Sequence, residues 1–149
     1  MSESMRAALG RRVVAVDTAE DIGAVKSFVL DRSGQRITQL HVAGGKRSAE
    51  LVNWSDVTAF GADAVMVASR RAVTDSVEER ADQMVRGRVE VIGARVLDTE
   101  GFEHGAVTDI EFDTDDGTVL AAVGHGTRWP GDSIRSLGGY ALIIDPPAQ

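Results

Sequence analysis

Apolar residues in this chain recur in short runs whose spacing predicts β-strands. Two runs place apolar side chains at positions i, i+3 and i+5, one residue longer than the alternation of a plain strand. These residues are Val25, Phe28 and Leu30 in the first run and Val107, Ile110 and Phe112 in the second. The additional residue predicts a β-bulge that bends each strand. Bent strands with a turn about every 8 to 12 residues are typical of a small barrel.

The same order of motifs occurs twice along the chain, which indicates an internal duplication. The matched segments are 14–18 with 95–99, 22–25 with 104–107, 31–34 with 113–117, and 56–61 with 133–138. Gly23 and Gly105 each precede a bulged strand, where a positive φ would turn the chain. The sequence therefore predicts a mainly β protein with two equivalent barrel-like units, residues 9–68 and 89–145.

The segment between the two units, residues 69–88, contains a pattern that predicts a connecting α-helix. Its apolar stripe at helical spacing consists of Val73, Val77, Ala81 and Met84. Ser76 and Glu79 fit a capping box, and Gly87 favours an end of the helix. A helix of about three turns is marginal alone in water, so we expect the stripe to pack on a barrel.

Composition narrows the classes of protein that fit these patterns. The chain has 149 residues, of which 43% are apolar and 26% charged, as in an ordinary globular protein. It contains no cysteine, which excludes disulfides, thiolate zinc sites and cysteine nucleophiles. The sequence has no run of about 18 apolar residues, so it predicts no membrane segment. The first residues lack the apolar core of a signal peptide. We therefore expect a cytoplasmic protein, with poorly ordered ends at residues 1–8 and 146–149.

Charge is distributed unevenly along the chain, although the net charge is −7. Residues 89–149 carry eleven acidic and three basic side chains, whereas the acids and bases of residues 9–68 cancel. Because neutralisation of phosphates supplies most non-specific affinity for nucleic acid, this charge disfavours nucleic acid as a partner of the second half.

Taken together, these motifs resemble the PRC-barrel family, named for a domain shared with the cytoplasmic part of the photosynthetic reaction centre H subunit. The matching motifs are Gly23-x-Val25-x-x-Phe28-x-Leu30-Asp31, Asp56-Val57-x-x-Phe60-Gly61, Gly105-x-Val107-x-x-Ile110-x-Phe112-Asp113 and Ile134-x-x-Leu137-Gly138. The resemblance implies two tandem PRC-barrel-like units joined by a short helix. It also implies an interaction module, as in ribosome maturation and photosynthetic electron transfer, without a shared catalytic site or a cofactor.

A search for catalytic motifs agrees with a protein that is not an enzyme. The chain has no Gly-x-Ser-x-Gly elbow, no phosphate-binding Gly-Lys-Ser/Thr and no His-Glu-x-x-His. Three histidines, His41, His104 and His125, could in principle gather a metal ion. Their spacings match no local ligand motif, so the sequence favours histidines that bond to backbone or water.

Candidate partner-binding residues lie mainly in the second unit. With Ile110 and Phe112 turned inward, a row of acids would point outward, as a solvated face or as a surface for a basic partner. The candidates for partner contact are Asp109, Glu111, Asp113, Arg128 and Trp129. Trp129 stands in a loop and packs in a core or serves as an exposed anchor. The candidates for contact between the units are Val29, Val77 and Met84.

The leading hypothesis is a non-enzymatic interaction or adaptor module that binds another protein or forms a homodimer. Each unit is about 60 residues, a size that gives marginal stability without a packing partner. One alternative is an RNA- or ribosome-associated maturation factor. Its basic surface would use Arg11, Arg12, Arg32, Arg36, Lys46, Arg47, Arg70 and Arg71. A second alternative is a small-ligand or metal-binding protein that uses His125 and the acids of the second unit.

Overall fold

A computed structural model describes residues 1–44, 50–74 and 78–147, and β-strands form most of its regular structure. The first part contains β1 (Ser2–Ser4), α1 (Met5–Ala8), β2 (Arg12–Ala15), β3 (Asp21–Leu30), β4 (Ile37–Ala43), β5 (Glu50–Asn53), β6 (Val57–Phe60), β7 (Ala64–Val67) and β8 (Val73–Thr74). The second contains α2 (Glu79–Val85), β9 (Arg95–Asp98), β10 (Glu103–Ala106), β11 (Asp109–Asp113), β12 (Val119–Gly124), β13 (Thr127–Pro130), β14 (Ile134–Leu137) and β15 (Leu142–Ile144). Within these ranges, no helix has the length and apolar character needed to cross a membrane.

The two halves repeat one pattern of strand pairing, which confirms the tandem, mainly β prediction. In the first copy one sheet has the order β6-β7-β2-β3-β4-β5-β8. In the second copy the equivalent strands form two sheets, β10-β9-β15-β14 and β1-β11-β12-β13. The bulged strand is continuous in the first copy as β3 but is divided into β10 and β11 in the second. Each copy closes with a parallel pair, β2 with β7 and β9 with β15.

Strand register corrects the sequence alignment of the first strands. Val13 pairs with Gly23, and Val96 pairs with Gly105, so Val13 and Val96 are equivalent. The match of segments 14–18 and 95–99 is therefore wrong by two residues. With the structural register, Asp98 occupies the position that Ala15 has in the first copy. The predicted bulge in the first copy is confirmed by a shift of register after Val25.

The two copies join through reciprocal contacts between their hairpins. The backbone N–H of Ile37 donates to the carbonyl oxygen of Gly117 (2.8 Å), and that of Val119 donates to the carbonyl of Gln35 (2.8 Å). The two bonds are equivalent under exchange of the copies, so the junction has an approximate two-fold relation. A Cβ at Gly117 would lie 2.9 Å from the Ile37 carbonyl oxygen. Glycine therefore permits the close approach of the two backbones.

Aromatic packing makes the two cores continuous. The ring of Phe112 lies 5.4 Å from that of Phe28, 6.0 Å from Trp54 and 5.3 Å from Phe60, between ring centroids. The last two pairs meet edge to face, a favourable geometry for aromatic rings. A side chain of the second copy thus fills a pocket in the first.

The connecting helix covers the bulged strand of the first copy. The backbone N–H of Leu30 donates to the Met84 sulfur (3.2 Å), so the predicted contact residue Met84 packs on the first copy. Val29 is also buried, whereas Val77 lies outside the described residues. The helix is shorter than predicted: α2 begins at Glu79 and Val73 belongs to β8. Val73 meets Val52 in a strand ladder, and this tertiary pairing overrides its helical spacing.

One helical side chain, Arg80, binds both copies. Its guanidinium donates to the carbonyl oxygens of Leu30 (3.0 Å), Asp31 (3.0 Å) and Leu137 (2.8 Å). Burial and the nearby Arg32 lower the pKa of Arg80 below its usual value. The sequence analysis missed this residue, although it stands four positions before Met84 and thus on the same face of the helix.

The N-terminal segment is ordered, so the expectation of a poorly ordered end at residues 1–8 is wrong. Strand β1 pairs antiparallel with β11 of the second copy, and the Met5 side chain is buried. The physical reason is the unpaired edge of β11, whose backbone groups find partners in β1. The bulged strand is therefore covered by α2 in one copy and by β1 in the other.

Candidate functional site

A groove of about 1060 Å³ opens on the second copy, between the edge strand β10 and strand β13. Its lining residues combine acidic, histidine, aromatic and proline side chains. They include Asp98, Glu100, Phe102, Glu103, His104, His125, Arg128, Trp129, Pro130, Asp145, Pro146 and Pro147. Phe102 stands at the groove with 64% of its surface exposed. Because aromatic residues are enriched in protein interfaces, Phe102 is a candidate contact residue.

A hydrogen-bonded pair, the buried Asp98 and the half-buried His104, forms one wall of the groove. Asp98 is only 6% exposed, and its Oδ2 lies 2.8 Å from Nε2 of His104. The other oxygen, Oδ1, accepts hydrogen bonds from the backbone N–H groups of Glu100 (2.8 Å) and Phe102 (3.1 Å). The bond from His104 and these backbone bonds lower the pKa of Asp98, although its burial acts in the opposite direction. The carboxylate thus fixes both the histidine ring and the turn that carries Phe102.

The first copy has an apolar pair at the equivalent position. Ala15 and Ile22, which correspond to Asp98 and His104 in the strand register, are both buried. The Asp–His pair is therefore a feature of the second copy rather than a requirement of the fold. The sequence analysis missed it because the two-residue error in alignment matched Asp98 with the exposed Asp17.

Arg128 and Trp129 lie side by side on β13 but differ in exposure. The Arg128 guanidinium is exposed and bonds to the Glu111 carboxylate at 2.7 Å. Trp129 is 4% exposed, and a Cβ at Gly124 would lie 2.6 Å from its ring atom Cη2. The hypothesis of Trp129 as an exposed anchor is wrong, because its ring fills the space left by this glycine. A partner could therefore contact β13 through its backbone but not through the indole ring.

The predicted acidic row on β11 is partly occupied by contacts within the chain. Asp109 accepts hydrogen bonds from the Ser4 hydroxyl and from the backbone N–H of Arg6 (3.1 Å). Glu111 pairs with Arg128, and Asp113 accepts a bond from the backbone of Asp115 (2.7 Å). A partner would have to compete with these bonds. The groove is therefore a better candidate surface for a partner than this row.

The three histidines do not come together. His41 is buried on β4 of the first copy, with Nδ1 at 3.2 Å from the Ser27 hydroxyl. His104 and His125 both line the groove of the second copy. Over the described ranges, no group of three or more acidic or histidine side chains has a geometry that could hold a metal ion.

Comparison with known families finds the same duplication. The model of the PRC-barrel domain matches the chain twice, over residues 6–80 and 85–147. A search of curated proteins finds no match. The two matched ranges together cover nearly the whole chain and agree with the two copies seen in the strand pairing.

Proposed function

Because the chain belongs to the PRC-barrel domain family, whose fold fixes no particular chemistry, we propose that it is a non-enzymatic interaction module. In this proposal the groove of the second copy binds a cationic segment of a partner protein. The observation that carries it is the divergence of the groove from the equivalent surface of the first copy. In the strand register Glu103 corresponds to the acid Asp21 of the first copy. The divergence consists of the buried Asp98 and the exposed Phe102, which stand where the first copy has Ala15 and Glu20.

Electrostatics support a cationic partner. The groove is lined by four acids, Asp98, Glu100, Glu103 and Asp145, and by one arginine, Arg128. Asp98 bonds to His104, and Asp145 pairs at 2.9 Å with Arg135, which lies outside the lining. Glu103 pairs with Arg95 at 3.2 Å on the exposed surface, so a cationic partner would have to compete with this pair. Within the described residues, the Glu100 side chain has no ion-pair partner. Complementary charge would therefore speed association and select basic partners.

The hydroxyl groups at the groove do not favour catalysis. An activated serine needs a hydrogen bond to a base such as a histidine. Ser133 instead donates to the carbonyl oxygen of Pro130, at 2.6 Å. In the part of the chain that the structure describes, no serine or threonine hydroxyl is bonded to His104, so the Asp98–His104 pair supports a binding role over an enzymatic one.

The RNA-associated alternative has weaker support. Three of the basic side chains on which it depends are ion-paired within the chain: Arg11 with Glu3, Arg12 with Asp21, and Arg70 with Glu20. Lys46 and Arg47 lie outside the described residues. Phosphate binding would have to compete with these ion pairs or use the remaining arginines.

The test compares two charge variants of the full chain. Glu100→Lys combined with Glu103→Lys reverses the charge of two acids of the groove. Asp56→Lys combined with Asp63→Lys makes the same change of charge at exposed positions of the first copy. We expect cross-linked partners from a native extract, identified by mass spectrometry, to be retained by the wild type and the control. The groove variant should lose them about tenfold, and binding should weaken above about 0.15 M salt.

Equal retention by all three proteins would show that the groove is not the interface. Light scattering of the same samples tests the predicted homodimer. If the wild type is a dimer and the groove variant is a monomer, the groove binds a second copy of the chain rather than a different protein.

A further inference from the structure

Strand β13 is an open edge at a position that the first copy covers. In the first copy β5 pairs with β4 on one side and with β8 on the other, through Leu51 with Thr74 and Val52 with Val73. In the second copy β12 corresponds to β4 and β13 to β5. Among the described residues, β13 pairs with β12 alone.

The structural register identifies the open positions. Leu40 pairs with Val52 in the first copy, and the equivalent Ala122 pairs with Trp129 in the second. Arg128 and Trp129 therefore correspond to Leu51 and Val52, the two residues covered by β8. In an antiparallel ladder alternate residues direct their N–H and C=O groups to opposite sides, so part of the β13 backbone faces away from β12.

This free edge faces the groove. All four residues of β13 line it, and Glu103 and His104 of β10 stand across it. Pro130 cannot donate a backbone hydrogen bond, so an added strand would be short, like the two-residue β8. Exposed edges of this kind bind extended segments by strand addition.

We infer that the edge of β13 receives an extended, cationic segment of a partner protein as an added antiparallel strand. This inference rests on the proposed function and specifies how the partner binds. The chain itself contains the template: β8 follows Arg70 and Arg71, so the segment 69–74 combines two positive charges with a β-branched strand. A partner segment of the same chemistry would match both the backbone edge and the acids of the groove.

The experiment uses a capped hexapeptide with the sequence of residues 69–74 as the probe. It is titrated into the full-length ¹⁵N-labelled protein at low salt, to millimolar concentration. We expect chemical shift changes at the amides of Arg128 and Trp129 and a fivefold or greater slowing of hydrogen exchange at the outward-facing amides, as expected for about one new backbone bond. Two matched peptides, N-methylated in turn at the alanine and the valine, keep the charge but each lose one backbone donor. At least one of them should bind about fivefold more weakly.

The outcomes separate this inference from the proposed function. Binding that moves Glu100, Phe102 and Glu103 but spares the β13 amides, and that tolerates both N-methyl groups, would overturn strand addition and still support a cationic partner in the groove. Failure of every peptide to bind would also overturn strand addition, while the charge variants test the groove independently. Slower exchange of the β13 amides in the absence of peptide, as the protein concentration rises, would also overturn the inference, because the edge would then bind a second copy of the chain.

Discussion

The two copies repeat one pattern of strand pairing but differ in the side chains at equivalent positions. At the corner before the bulged strand, the first copy has the buried apolar pair Ala15 and Ile22, and the second has Asp98 and His104. The junction between the copies, by contrast, keeps reciprocal hydrogen bonds. The junction is therefore equivalent in the two copies, whereas the fold accepts different side chains at this corner.

The two copies also differ in the segments that cover their strands. The helix α2 covers β3, the strand β1 covers β11, and β8 covers β5, whereas β13 is left open. At this position the first copy has the added strand β8, whereas the second copy has an unpaired edge among the described residues, and such an edge is what strand addition requires.

The largest expected effect comes from Phe112→Ala, which breaks the shared junction. It removes a fully buried ring that contacts three aromatic rings of the first copy, and we expect a loss of about 4 kcal/mol in the free energy of unfolding. Urea unfolding followed by tryptophan fluorescence measures it, because Trp54 and Trp129 report on different copies. Leu120→Ala, at a partly exposed position of β12, is the control and should cost less than about 1 kcal/mol.

A single transition in the wild type and separate transitions of the two tryptophans in the variant would show that the junction couples the copies. Two transitions already in the wild type would contradict a common core.

Arg80→Met tests the helix α2, which covers the bulged strand of the first copy where β1 covers that of the second. The variant keeps an apolar stem but loses three hydrogen bonds to carbonyl groups of both copies, so we expect a loss of about 2 kcal/mol. Arg88→Met, at an exposed position after the helix, should change stability by less than about 0.5 kcal/mol. If the two variants were equally stable, the bonds of Arg80 would not hold the copies together.

The smallest expected effect comes from converting the corner of the second copy toward that of the first. Asp98→Ala removes the acceptor for His104 and two backbone N–H groups, and Asp98→Ala combined with His104→Ile restores the apolar pair. We expect the single variant to have a lower urea midpoint at pH 7 and the double variant to recover part of it.

The pH dependence of this loss follows from the pKa of Asp98. Because folding lowers this pKa from 3.8, the carboxylate stabilises the fold fully above pH 3.8 and loses its contribution as the pH falls through the folded value. The wild type and Asp98→Ala should therefore converge in stability at acidic pH. A gap in urea midpoint that persists unchanged far below pH 3.8 would contradict this role of the ionised carboxylate.

Local patterns predicted the elements whose formation depends on neighbours in the chain. The spacing of Val25, Phe28 and Leu30 predicted a bulged strand because side chains alternate across a strand and an additional residue must bulge. The helical spacing of Val73 was misleading, because its pairing with Val52 depends on a residue distant in sequence.

The candidate site was less predictable than the fold. Of the predicted partner-contact residues, Arg128 and Trp129 line the groove, whereas the predicted acidic row on β11 does not. Which acids reach the groove depends on strand ends that are distant in sequence, and no local pattern shows them. The Asp98–His104 pair was hidden by an alignment error that strand register resolves.

Periodic patterns that each copy carries within about 60 residues were enough to predict the duplication and the β class. The family follows from the resemblance of the motifs and from the match of the family model to both copies. Which strand edges are covered, and that the edge of β13 is unpaired among the described residues, depends on tertiary contacts. The reason is physical: an edge is closed by whatever segment reaches it in space, and β1 comes to β11 from more than a hundred residues away along the chain.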